Sequence, residues 1–255
     1  MQAPAPQIDV SALMQLRESE LEEARNLQLS LLPNAPLCVA GTEFTSRFRA
    51  AAAVGGDFLD YFSLSDNRIG IYLGDVVGKG LSAAMYAALT VGTLRGIHKT
   101  GCPPMTVLST LNRRLRTRTV AGRYSAVQYA VYDPDTRELL YANAGLPRPI
   151  HFSGNACREV GHGGLPSGLF DDAQYDQYSV TLAPGDAVLF LTDGLIEAHD
   201  SGREEFGSSR VMEICKEYIH TPSEALLTRL FSAVDEFSGH ASPQDDITAA
   251  LLRAS

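Results

Sequence analysis

Two turn sequences constrain this chain most. Leu64-Ser65-Asp66-Asn67 and Asp133-Pro134-Asp135-Thr136-Arg137 carry the Asp, Asn, Ser and Pro that reverse a backbone. Each lies between two β-compatible stretches, 58–64 and 68–73 around the first, 124–132 and 138–143 around the second. A chain that turns back so quickly pairs its strands antiparallel, because a parallel pair needs a crossover of about a dozen residues or more. Further strands are expected at 44–53, 178–182, 187–192 and 247–252. Helical stretches at 79–98 and 105–118, and two more between 192 and 240, come in runs rather than in βαβ alternation. The second of these later helices opens with Thr221-Pro222-Ser223-Glu224, a capping-box pattern with Pro at the first helical position. The pattern reads as α+β with mostly antiparallel sheet.

An amphipathic helix is expected ahead of this body, from about 9 to 32. Val10, Leu13, Met14, Leu21, Ala24, Leu27 and Leu31 form an apolar stripe near 3.6 periodicity, and Pro33 ends it. Such a helix either lies on its own domain or pairs with a copy of itself, and its pattern fits both. The chain therefore divides into a linker or dimerisation helix over 1–33 and one domain over 34–255. On the next helices, Arg113, Arg114, Arg116 and Arg118 face outward, as a solvated surface or a docking surface for an acidic or phosphorylated partner.

Composition mainly excludes. Thirty acidic against 21 basic residues leave a formal charge of −9, which argues against non-specific binding to nucleic acid or an anionic membrane. The longest uncharged runs, 26–42 and 80–94, are shorter than the roughly 20 apolar residues of a spanning helix, and no signal-peptide pattern opens the chain. Cys38, Cys102, Cys157 and Cys215 are widely spaced and fit reduced thiols in a cytoplasmic protein. No two His or Cys residues stand at zinc-ligand spacing, and neither a Gly-x-Ser-x-Gly elbow nor a P-loop is present.

The chemistry lies in four acidic motifs where strands meet turns: Gly55-Gly56-Asp57, Gly74-Asp75 with Gly78-Lys79-Gly80 beyond it, Thr192-Asp193-Gly194, and Asp245-Asp246-Ile247-Thr248. Glycine lets backbone crowd a ligand, and Asp supplies the hard oxygen that Mg²⁺ or Mn²⁺ prefers. Their order, with Leu27-Gln28-Leu29-Ser30-Leu31-Leu32-Pro33 before them and Tyr141-Ala142-Asn143-Ala144-Gly145 between, resembles the metal-dependent protein phosphatases of the phosphatase 2C (PPM) superfamily. It is closest to their SpoIIE-like branch, which includes RsbU-type serine phosphatases.

That resemblance implies an α-β-β-α sandwich and a centre of two ions, Mn²⁺ or Mg²⁺. By motif, Asp75 would bridge both ions with the Val76 carbonyl beside it, Asp57 would serve one, and Asp193 and Asp245 the other. Asp246 is the alternative to Asp245, while Asp60 and Glu197 read as solvated or capping carboxylates. The implied reaction is hydrolysis of phosphoserine or phosphothreonine on a protein, with a STAS-domain anti-sigma-factor antagonist as substrate. A homodimer through the first helix is also implied. The sequence departs from the family at Val77, where Ser is common, and at Leu146, where His is common. Arg47 or Arg49 is the nearest candidate for a phosphate contact. Two other readings stay open: a regulatory partner-binding module on the same fold, and hydrolysis of small phosphoesters.

Overall fold

The structure is a computed structural model that describes residues 10–33, 35–39, 41–64, 67–98, 101–239 and 243–254. The expected frayed tail before Val10, the turn positions Ser65 and Asp66, and His240 lie outside the described residues. In chain order the elements are α1 (Val10–Leu31), β1 (Leu37–Val39), β2 (Thr42–Arg49), β3 (Phe58–Ser63), β4 (Ile69–Val76), α2 (Leu81–Arg95), α3 (Pro104–Thr117), β5 (Ser125–Asp133), β6 (Glu138–Ala144), β7 (Ile150–Ser153), β8 (Ala156–Glu159), β9 (Gln177–Thr181), β10 (Ala187–Leu191), α4 (Asp193–Ile196), α5 (Gly207–Tyr218), α6 (Ser223–Phe237) and β11 (Ile247–Ala254).

Both turn sequences sit between antiparallel neighbours. β3 pairs with β4 from Phe58↔Gly74 to Ser63↔Ile69, and β5 with β6 down to Asp133↔Glu138. The strands form a six-stranded sheet, β1-β2-β11-β10-β7-β8, and a five-stranded sheet, β3-β4-β5-β6-β9. Three apolar layers hold the sandwich together. α2 and α3 cover the five-stranded sheet, the sheets face each other across a second core, and α5 and α6 cover the six-stranded sheet. This is an α-β-β-α sandwich.

Side-chain parity explains the strand sequences. Along β4, Ile69, Ile71 and Leu73 enter the core between the sheets, while Tyr72 and Val76 lie under the helices. Along β10, Val188 and Phe190 face the other sheet and Ala187, Leu189 and Leu191 face α5 and α6. Strands covered on both faces are apolar at every position, so their period of two is invisible in sequence.

Two local features differ from the sequence reading. α6 begins without a capping box: no side chain caps it, and Pro222 rather than Thr221 occupies the cap position. Ser223 Oγ instead donates to Glu43 Oε2 on β2 (2.7 Å), and Thr221 Oγ1 donates to the Tyr218 carbonyl (2.7 Å). The Thr221 hydroxyl that the capping box would use is thus taken by a carbonyl at the end of α5. The other feature is α4, a single turn at Asp193–Ile196 that is too short to show periodicity. As for α1, its residues 10, 11 and 13–20 are exposed, while Leu21, Ala24, Gln28 and Leu31 are half-buried near α2 and β3.

Candidate metal centre

The four acidic motifs lie at one end of the sandwich because of how the hairpins run. Asp57 immediately precedes β3, whose first residue pairs with Gly74 near the end of β4, where Asp75 and Val76 sit. Asp193 follows β10, and Asp245 and Asp246 precede β11, with Leu191 paired to Ala249. Each sheet thus contributes the end of one strand and the start of its neighbour. Residues 191 and 135 positions apart in sequence become neighbours: Thr248 Oγ1 and Thr192 Oγ1 donate to Asp57 Oδ2, at 2.5 and 2.8 Å.

Asp57 is buried, at 1% exposure. Burial, and then repulsion from Asp75 and Asp246, hold its carboxyl well above the usual range, and the two threonine hydroxyls offset this only in part. Asp75 is pushed up to about 7, first by burial and then by Asp193 and Asp245. Asp193 is raised by burial and by Asp245. Four of the five expected metal residues are therefore carboxylates that feel one another's charge. The fifth, Val76, brings its carbonyl against Gly56: a Cβ there would meet Val76 O at 2.7 Å and Asp75 Oδ1 at 2.9 Å. Only glycine permits that approach.

Adjacent residues Asp245 and Asp246 do different work. Asp246, 5% exposed, accepts from the amides of Ala51 (2.8 Å), Gly56 (2.6 Å) and Asp57 (3.3 Å), so it shapes the loop that delivers Asp57. A side chain on Gly55 would overlap its carboxylate. Asp245 lies near enough to raise the carboxyls of Asp75 and Asp193; its Oδ1 accepts from the Asp246 amide (3.0 Å), and Lys79 Nζ lies 3.3 Å from its Oδ2. One carboxylate is held by three amides of the Asp57 loop, the other by a lysine and a single amide.

The donor set suits a hard divalent cation, since every expected ligand is a carboxylate or carbonyl oxygen. Among the described residues, no three His, Cys, Asp or Glu side chains already converge on one point at ligand distance.

The remaining candidates divide. Asp60 is bound by Arg95 Nε (3.1 Å) and Nη2 (2.8 Å) and by the Tyr72 hydroxyl (3.1 Å), so it is an ion-paired structural carboxylate. Glu197 lines a cleft of about 120 Å³ with Arg49, Lys79, His199 and Asp245, and burial and Asp193 raise its carboxyl. Arg49 reaches this cleft while paired to Asp235 (2.6 Å). Arg47 turns away, to Thr228 (2.6 Å) and Glu224 (3.5 Å).

Sequence reasoning missed the supports. Thr192 and Thr248 stood inside the quoted motifs, but nothing in their spacing says that both hydroxyls meet Asp57. Gln28 likewise holds Gly55 at two points, Nε2 donating to its carbonyl (2.8 Å) and Oε1 accepting from its amide (3.0 Å). An amide among the leucines of an amphipathic helix was the only signal for that contact.

Comparison with known proteins agrees with this fold. The family model described as stage II sporulation protein E (SpoIIE) matches residues 65–255. Phosphoserine phosphatase RsbU of Bacillus subtilis is 26% identical over 244 residues, covering 92% of this chain and 70% of that protein. Phosphoserine phosphatase RsbP of the same organism is 26% identical over 183 residues, covering 70% of this chain and 45% of that protein. The SiaA PP2C domain of Pseudomonas aeruginosa shares the fold, with a TM-score of 0.86 at 22% identity over 97% of this chain and 100% of that one. The RsbU and RsbW domains of a Mycobacterium tuberculosis protein superpose with a TM-score of 0.71 at 27% identity, over 85% of this chain and 60% of theirs. With its motifs in order and most of its length matched, this chain belongs to the SpoIIE family.

Proposed function

We propose that this protein is a metal-dependent protein serine/threonine phosphatase of the PPM superfamily. The observation that carries the reading is the gathering, at one end of two sheets, of Asp57, Asp75, Asp193 and Asp245 in mutual repulsion. In this reading Asp75 and the Val76 carbonyl serve two ions, Mn²⁺ or Mg²⁺, Asp57 completes one site, and Asp193 with Asp245 the other. Bound there, the ions would supply a water of lowered pKa and neutralise phosphoryl oxygens. Thr192 and Thr248 orient the Asp57 carboxylate. Asp246 and Gln28 fix the backbone of Gly55 and Gly56, so that Asp57 and Asp75 keep their relation. Arg49, Lys79 and His199 line the cleft beside Asp245, where a phosphorylated side chain would enter. A magnesium complex of RsbX, a protein that shares this fold at 14% identity, supports the choice of cation.

The substrate in this reading is a phosphorylated protein, and the RsbU- and RsbP-like sequence favours an anti-sigma-factor antagonist of the STAS type. We assign 34–255 as the phosphatase domain and 1–33 as a separate helical segment. Val10, Leu13, Met14 and Leu16 are more than half exposed on the first turns of α1, which suits a homodimer through this helix. Among the described residues no helix is long and apolar enough to cross a membrane. Cys38, Cys102, Cys157 and Cys215 are free thiols, which fits work in a reducing cytoplasm.

The test is turnover with Mn²⁺ on a panel of phosphoserine proteins and on an aryl phosphate, for wild type, Asp75→Asn and Asp193→Asn. The reading expects activity in wild type, its loss with chelator, and a fall of at least about a hundredfold in both variants. Turnover that survives both substitutions would sink it.

A further inference from the structure

Lys79 stands between two fixed peptides. The peptide before it is fixed: Val77 N donates to the Tyr124 carbonyl (3.2 Å), and Arg123 donates to the Val77 carbonyl and, at 2.7 Å, to Ser82 Oγ. The peptide after it starts α2, where the Ala84 amide donates to the Gly80 carbonyl (3.0 Å). Between these anchors lie two glycines in the left-handed region, Gly78 at φ +96° and Gly80 at φ +70°, and a side chain at Gly80 would meet nothing within 4 Å. The lysine is therefore held between two anchored peptides, on flanking residues whose backbone conformation favours glycine.

Its ammonium reaches the Asp245 carboxylate and the Gln244 carbonyl, and Asp193 also feels its charge. These are the acidic residues assigned above to the second ion. We propose that Lys79 is a tethered counter-ion for the Asp193–Asp245 carboxylates, held there when the second ion is absent and displaced into solvent when it binds. This rests on the two-ion reading of the site. The cation lowers the repulsion that would otherwise weaken the metal-free fold, and it does so at the expense of ion affinity.

A thermodynamic cycle makes the inference testable. If Lys79 lies in water both in the ion-loaded protein and in the unfolded chain, whatever it adds to the metal-free fold it must subtract from ion binding. The pair is half-exposed, so the effect is modest and shrinks with salt. Lys79→Gln should bind Mn²⁺ about three- to tenfold more tightly by isothermal titration calorimetry. The same variant should melt about 2–4 °C lower in chelator and unchanged in saturating Mn²⁺, while Lys79→Arg should keep the wild-type melting point in chelator. Unaltered or weaker Mn²⁺ binding by Lys79→Gln would overturn the proposal, as would an unaltered melting point in chelator. Asp193→Asn and Asp245→Asn, titrated alongside, separate the two claims. If they too bind Mn²⁺ like wild type, the two-ion reading itself has failed; if they lose an ion while Lys79→Gln changes nothing, only the role of Lys79 has.

Discussion

Two groups of carboxylates near the same end of the sandwich are held in opposite ways. Asp60 and Asp246 have their charge answered by protein, Asp60 by Arg95 and Tyr72, Asp246 by three backbone amides. Asp57, Asp75 and Asp193 are joined by no ion pair among the described residues, and burial and mutual repulsion push all three toward protonation. Carboxylates whose charge the protein answers stabilise a fold, whereas buried ones whose partners do not offset burial and repulsion are a standing cost unless something outside the chain supplies the charge. Adjacent Asp245 and Asp246 differ too: three amides hold Asp246, while Asp245 has one amide and the exposed Lys79 ammonium.

The largest effect on stability should therefore come from a residue outside the metal set. Asp246→Ala leaves the amides of Ala51, Gly56 and Asp57 without their acceptor, at a cost of about 3 kcal/mol. For a chain of this size that lowers Tm by roughly 6–12 °C. Asp245→Ala should leave Tm in chelator within about 2 °C of wild type while removing activity. Equal losses from the two substitutions, read by thermal melting in chelator, would erase the distinction between them.

Asp75→Asn should move stability the other way. Removing one charge from the cluster should raise the stability of the chelated protein by about 2 kcal/mol at pH 7.5, even as it abolishes turnover. The pH dependence has the same origin. In the folded chain the Asp75 carboxyl is raised to about 7 from its ordinary 3.8, so between these values the native state binds more protons than the unfolded one. Stability of the metal-free protein should then fall as pH rises from about 4 to about 7, the reverse of a salt-bridged Asp. Saturating Mn²⁺ should flatten that slope. A chelated protein that gains stability over this range would show that the carboxylates are better compensated than their neighbours suggest.

The sandwich was legible because its hairpins are local: the turns at 64–67 and 133–137 dictate antiparallel pairing before any long-range contact is known. The carboxylates were legible as types, through their glycines and order, but four separate strand ends leave no sequence trace of meeting. Burial alone could not be read for β10, whose five apolar residues serve two cores at once. Hidden altogether were the contacts that act across long separations, Thr248 on Asp57, Gln28 on Gly55 and Ser223 on Glu43. The failed capping box has a local cause: Thr221 Oγ1 donates to the Tyr218 carbonyl at the end of α5. A hydroxyl can cap the helix that follows it or bond the carbonyl behind it, and spacing in sequence does not decide which.

The smallest effect belongs to the carboxylate whose charge is already answered. Arg95 donates through Nε and Nη2 to Asp60 Oδ2, and Nη2 also donates to the Leu31 carbonyl at the end of α1 (3.0 Å). The arginine is 40% exposed in its side chain and the aspartate 17%, so water screens the pair from one side only. Arg95→Ala should cost about 1 kcal/mol of global stability, lowering Tm by roughly 2–4 °C. Its local consequence should be larger, because Leu31 has no further helical turn to hold it and the contact joins α1 to α2 and β3. Hydrogen exchange in the last turn of α1 should therefore accelerate more than exchange in β3 or β4. If both accelerate equally, Arg95 supports the sheet rather than the seat of the helix. If neither does, the Asp60 pair contributes no more than an ordinary surface contact, and the division between answered and unanswered carboxylates would rest on Asp246 alone.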